Sequence, residues 1–240
     1  MPRDPCPLGL LAFDTSTERM AVAAVGPAGT VCWNGAGGAA ASADLLPRAR
    51  RVVAEAGLAW QDLQAVAFGA GPGAFTGLRT ACAAAQGLAL GLGVPVLPLD
   101  SLSLLAEDSL WRDGLVWVAM DARMDEVYAG AYRWGGARWH ADAAPALYTL
   151  PALVARWAAA PPARVAGNAP AAFGTRLPLH GGAHHDRETD RAAALLRCAV
   201  QAWDAGLAVD AALALPVYLR DKVAQTTAER TAAKVAAATP

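Results

Sequence analysis

Hydrophobic and polar positions divide the chain into short apolar runs that end in Asp or Gly. Leu10-Leu-Ala-Phe-Asp14 predicts a buried strand, Thr15 to Met20 a turn, and Ala21 to Val25 a second strand. Thr30 to Trp33 follows the Gly26-Pro27-Ala28-Gly29 turn as a third, making a meander. From Ser42 to Ala56, Leu45, Leu46, Val52, Val53 and Ala56 recur at helical spacing. Ser42 or Asp44 would cap this helix, Pro47 would sit in its first turn and Gly57 would stop it. Leu63 to Gly69 reads as a strand, Gly71 to Arg79 as a glycine-rich loop, Leu78 to Leu92 as a helix of small residues, and Val94 to Leu99 as a strand. Strand, loop, helix and strand make a βαβ crossover, so the class is α/β with a mixed sheet.

The second half restarts the same pattern. LLAFDTSTERMAVAAV and VWVAMDARMDEVYAGAY each present a hydrophobic strand, an Asp at its end, a polar turn and a returning strand, here Leu115 to Met120 and Glu126 to Tyr132. Such a recurrence is the pattern of a duplicated domain. A helix over Leu150 to Ala160, a strand over Arg164 to Ala166, a loose loop from Pro178 to Thr189 and a helix from Asp190 to Ala205 follow, and the last residues look weakly ordered.

With 55% apolar against 17% charged residues, 240 positions suffice for one large or two small globular units. Twenty Lys and Arg against 21 Asp and Glu leave no basic footprint of the kind that binds nucleic acid unaided, so any RNA contact would be shared with a partner. Cys6, Cys32, Cys82 and Cys198 lie far apart, without a CxxC pair, and read as buried free thiols in a reducing compartment such as the cytoplasm. The apolar stretch Ala81 to Leu99 is built of Ala and Gly and broken by Gln86, Pro95 and Pro98, which suits a buried helix and strand rather than a membrane span.

Three groups of residues carry candidate chemistry. Asp14, Thr15 and Ser16 at a strand end offer a carboxylate and hydroxyls for Mg²⁺ or phosphate, although a turn bonded to its own backbone is the commoner outcome. Gly71, Gly73, Thr76 and Gly77 would let backbone N–H groups approach an anion at a helix N-terminus; a tight strand-to-helix turn explains the same glycines equally well. The loop lacks the Lys of a P-loop, which argues against Walker-type hydrolysis. Asp121 and Arg123 occupy the equivalent turn of the second half, and Asp14 and Asp121 would meet if the two hairpins faced across a cleft. His180 and His184 are four apart, but Gly181 and Gly182 break the helix a metal pair would need. No Ser/His/Asp arrangement stands out.

On LAFDTSTE (11–18), GPGAFTGLRTACAAAQGLALGLGVPV (71–96) with DSL after it, DARMDEVY (121–128) and PVYLRDKVA (216–224), the chain resembles the bacterial TsaB family, also called YeaZ. The resemblance covers almost the whole chain. It implies two RNase-H-like lobes of the actin, sugar-kinase and Hsp70 superfamily, over 1–105 and 106–215, with 216–240 returning to the first. It further implies a non-catalytic cytoplasmic subunit, acting beside the catalytic paralogue TsaD and the ATPase TsaE, in forming threonylcarbamoyladenosine at position 37 of ANN-decoding tRNAs. A homodimer would compete for the TsaD-binding surface, a helical face carrying Leu45, Leu46, Val52, Val53, Ala85 and Leu88. Metals and cofactors are not firmly implied; weak ATP or ADP with magnesium would sit in the vestigial cleft or at the partner interface. Ala41-Ser42-Ala43 stands where relatives often carry His-Ser/Thr-Gln. The alternatives are an actin-fold ATPase using Asp14, Asp121 and the Gly71 loop and, with little support, a glycoprotease-like peptidase.

Overall fold

The structure, a computed structural model, describes residues 8–38, 41–186 and 188–220. Cys6 and residues 221–224 of the last motif lie outside the described residues. Three strands, β1 (Leu10–Asp14), β2 (Arg19–Gly26) and β3 (Gly29–Ala36), form the meander, followed by helix α1 (Ala41–Glu55). Then come β4 (Ala65–Gly71), α2 (Phe75–Leu92), β5 (Val96–Asp100) and α3 (Ser101–Asp108). The second half gives β6 (Leu115–Asp121), β7 (Glu126–Trp134), β8 (Trp139–Thr149), α4 (Leu150–Ala159), β9 (Arg164–Ala166), α5 (Ala169–Phe173), β10 (Ala183–His185) and α6 (Arg191–Asp204).

The duplication is visible in the topology. The first sheet runs β3-β2-β1-β4-β5, and the second, read from its β8 edge, β8-β7-β6-β9-β10, so strands and intervening helices correspond one to one. Both meanders are antiparallel, and both central strands pair in parallel with the strand after the first crossover, β1 with β4 and β6 with β9. Asp14 and Asp121 therefore end equivalent strands. Two-residue alternation explains how each sheet is covered on both faces. Leu11 and Phe13 pack with α1 and α2, while Leu10 and Ala12 face α6; Trp117 and Ala119 pack with α4, while Val116 and Val118 face α3.

The two closing helices are exchanged between lobes. α3, which follows the first sheet, packs through Leu102, Leu105 and Ala106 on the second, whereas α6 packs through Ala192, Leu195 and Ala199 on the first. The chain thus rejoins the first lobe at α6, ahead of the return expected at residue 216. A one-turn 3₁₀ segment, Ala211–Leu213, then packs on α2, and Leu219 joins the core of the second lobe. Several local expectations also change. α1 starts at Ala41, which moves Pro47 beyond the first turn, and β8 occupies a stretch whose Ala-rich sequence with Pro145 shows little alternation. β10 lies inside the expected loose loop, pairing in parallel with β9. Cys82 and Cys198 are buried, burial pushing both thiols up, whereas Cys32 is exposed rather than buried.

Candidate functional site

The β1–β2 and β6–β7 turns face each other across the gap between lobes, where the exposed Arg123 Nη2 donates to Glu18 Oε1 at 2.6 Å. Beneath them lies a cleft of about 660 Å³ lined by Ser16, Phe75, Asp121, Asn168 and Tyr218 among others. Asp121 N donates to Asn168 Oδ1 at 2.9 Å, and Asp121 Oδ1 accepts from Arg123 N at 2.8 Å. Asp121 thus overlooks the cleft. Asp14 does not.

Asp14 is fully buried, and every close partner is internal. Its Oδ1 accepts from Ser16 N at 2.8 Å, Ser16 Oγ at 2.7 Å and Arg191 Nη2 at 3.3 Å, and its Oδ2 accepts from Ser101 Oγ at 3.0 Å. Arg191, at the first position of α6, is itself 1% exposed and also pairs with Glu188. Burial would strip its proton, but Asp14 and Glu188 outweigh burial and hold the guanidinium charged. The expected meeting of Asp14 and Asp121 is corrected accordingly: the hairpins face, while one carboxylate is sealed behind Arg191, Ser16 and Ser101. A divalent cation needs several free oxygens around it. The oxygens of Asp14 are already engaged with donors, so the magnesium implied by the actin-like fold does not fit this carboxylate.

The glycines of the loop make room for protein backbone. A Cβ on Gly77 would stand 1.8 Å from Thr15 O and one on Gly73 2.5 Å from Ser16 O, while on β4, ahead of the loop, one on Gly69 would stand 1.7 Å from the side-chain Oδ2 of Asp14. Thr15 Oγ1 donates to Gly77 O at 2.7 Å, and Ala74 N donates to Ser16 O at 2.7 Å. Gly71, at φ +117, adopts a conformation that L side chains avoid. Of the two readings left open for this loop, tight packing of a strand-to-helix turn on the Asp14–Ser16 turn is therefore observed. Thr76 is exposed, and its carbonyl accepts from Thr80 Oγ1.

Residues 217–220 strap the lobes together, a role their sequence did not announce. Val217 N donates to Ala70 O at 2.7 Å, and Tyr218 packs on Phe75 with centroids 5.1 Å apart while its hydroxyl accepts from Arg79 Nε. Arg220 Nη2 donates to Ala122 O at 2.9 Å and pairs with Glu126 in the second lobe. A second unannounced feature is Glu107 of α3, whose buried carboxylate accepts from Arg112, Arg197, Trp139 Nε1 and Gln201. The histidines separate: His184 Nε2 contacts Gly167 O, His185 Nε2 contacts Asp108, and His180 is exposed. Among the described residues no group of three or more His, Cys, Asp or Glu is placed to hold a metal. Nor, among them, is any helix long and apolar enough to cross a membrane.

The expected partner face needs correction. Leu45, Val52, Val53 and Ala85 are core side chains, at most 2% exposed, and Leu88 is partly buried against that core. Only Leu46 of the six is well exposed. The periodicity that identified these positions reports the face turned to the sheet. The outward face of α2 instead carries Thr76, Ala83, Gly87 and Leu90, with Leu90 62% exposed.

Residues 39–172, more than half of the chain, match the family described as TsaD: tRNA N6-adenosine threonylcarbamoyltransferase. The tRNA threonylcarbamoyladenosine biosynthesis protein TsaB of Haemophilus influenzae is 40% identical over 123 residues, 50% of this chain and 52% of that protein. The TsaB protein of Escherichia coli is 35% identical over 145 residues, 55% of this chain and 59% of that protein. The chain thus spans little more than half the length of these curated relatives. Among solved structures, YeaZ from Pseudomonas aeruginosa superposes with a TM-score of 0.78 at 36% identity, covering 88% of this chain and all of that one. With sequence blocks, paired sheets and superposition in agreement, the chain belongs to the TsaB/YeaZ family and carries a TsaD-type domain.

Proposed function

We propose that this chain takes part in forming threonylcarbamoyladenosine at position 37 of ANN-decoding tRNAs, as a cytoplasmic subunit that supports a catalytic TsaD paralogue, with TsaE in the same complex. The relatives named for that pathway support the process. The non-catalytic role rests on one observation: the strand-end carboxylate Asp14 is sealed in a salt bridge with Arg191 and presents no oxygen to the cleft. An ATPase working through Asp14 is disfavoured for the same reason. ATP or ADP is a ligand class to test in the cleft, whose volume of about 660 Å³ lies in the range of small-molecule sites. Its contacts would come from Phe75, Tyr218 and Arg123.

The partner surface we assign is the outward face of α2, where Ala83 and Gly87 permit close backbone approach and Leu90 supplies an apolar anchor. A homodimer would use the same face. The test is reconstitution of the modification from purified components with and without this chain. Loss of product on omission supports the reading, and undiminished product refutes it. Leu90→Glu should weaken TsaD binding and self-association together; loss of one alone contradicts a shared surface.

A further inference from the structure

Three acceptor oxygens from two segments far apart in sequence converge on the Arg191 guanidinium. Asp14 Oδ1 at the end of β1 lies 3.3 Å from Nη2, Ser16 Oγ in the β1–β2 turn lies 3.0 Å from Nη2, and Glu188 Oε1 in the connection to α6 accepts from Nη1. Two carboxylates and a hydroxyl are the ligand chemistry of a hard divalent cation. Here the positive charge arrives on a side chain instead. The fit is incomplete, because Arg191 Nε is buried without a hydrogen-bond partner among the described residues. The guanidinium has thus been accommodated by a pocket whose oxygens it does not fully match.

We infer that Arg191 is a built-in counter-ion standing in place of a divalent cation at Asp14, and that its charge, rather than the neutral Ser16 and Ser101 donors that also engage the carboxylate, is what excludes metal from Asp14. The inference deepens the non-catalytic reading and rests on it. The carboxylate serves as an internal anchor that ties the β1–β2 turn to α6 and to the connection through Glu188. Removing the guanidinium uncovers an oxygen site with two uncompensated negative charges, which a cation such as Mn²⁺ would fill. Hard-cation charge would then replace arginine charge.

The experiment uses the full chain and Mn²⁺ as probe, read by electron paramagnetic resonance and by thermal unfolding. Arg191→Ser should unfold at a lower temperature than wild type, recover part of the loss in millimolar Mn²⁺, and bind Mn²⁺ at least tenfold more tightly than wild type. Adding Asp14→Asn should abolish both effects. Arg191→Gln, which retains much of the packing, should show the same gain if Arg191→Ser folds poorly. Failure of both variants to gain Mn²⁺ binding, or to fold in its presence, overturns the inference, as does Asp14-dependent Mn²⁺ binding by wild type. None of these readouts involves tRNA, so they fail or succeed independently of the reconstitution. Metal binding by wild type would sink the inference and the sealed-cleft argument together, whereas a metal-blind Arg191→Ser would leave the subunit role standing.

Discussion

The same substitution at two positions of α2 should have opposite signs. At Gly77 an added Cβ meets Thr15 O at 1.8 Å, a backbone atom that no rotamer change can move. Relief requires the start of α2 to retreat from the β1–β2 turn by roughly 1 Å, which stretches Thr15 Oγ1 to Gly77 O and Ala74 N to Ser16 O. Overpacking costs about 1–3 kcal/mol, and each hydrogen bond contributes about 1 kcal/mol. The better helix propensity of Ala returns about 1 kcal/mol. Gly77→Ala should therefore destabilise by about 2–4 kcal/mol. At Gly87, ten residues along the same helix, no atom lies within 4 Å of the added Cβ, so Gly87→Ala should stabilise by about 0.5–1 kcal/mol. Urea denaturation at pH 7, with the chain dilute enough to remain monomeric, gives both values. If Gly77→Ala unfolds within about 0.5 kcal/mol of wild type, the loop glycines are not there for backbone packing and the anion-cradle reading regains its claim.

Two other acids give further expectations. Burial pushes the Asp100 carboxyl up from 3.8 to about 6, despite hydrogen bonds from Tyr132 and the Leu102 and Ser103 backbone that favour its charged form. The native state then holds this proton more tightly than the unfolded chain, so Asp100 lowers stability as pH rises from about 4 to about 6, by at most about 3 kcal/mol. The stability difference between wild type and Asp100→Asn should change by that amount over the window and stay flat above it; parallel curves would refute the shift. Glu107, with no exposed side-chain surface, balances Arg112 and Arg197, so Glu107→Ala should cost about 3 kcal/mol in urea denaturation, largely unaffected by salt. Glu18→Gln, which breaks the exposed pair with Arg123, should leave the midpoint unchanged.

Local pattern settled much of the fold. Apolar runs ending in Asp14 and Asp121 located both central strands, and glycine spacing located the turn before α2, because these depend on interactions within a few residues. The repeat of strand, turn and returning strand pointed to the duplication that the sheet order displays in full. Periodicity likewise identified Leu45, Val52 and Val53 as one helical face. It could not say whether that face met a sheet of the same chain or another protein, since burial drives both by the same apolar transfer.

Tertiary structure decided the rest, for a physical reason common to each case. α3 and α6 are apolar on faces that would suit either sheet, and only packing in three dimensions exchanged them between lobes. Arg191 lies 177 positions from Asp14, and nothing near either residue signals the pair, because Coulomb attraction acts through space and leaves no local periodicity. The Asp14–Ser16 turn and the glycine loop were visible along the chain as two motifs. That each fills the other's space, and that a guanidinium closes the carboxylate between them, followed only when the fold brought them into contact.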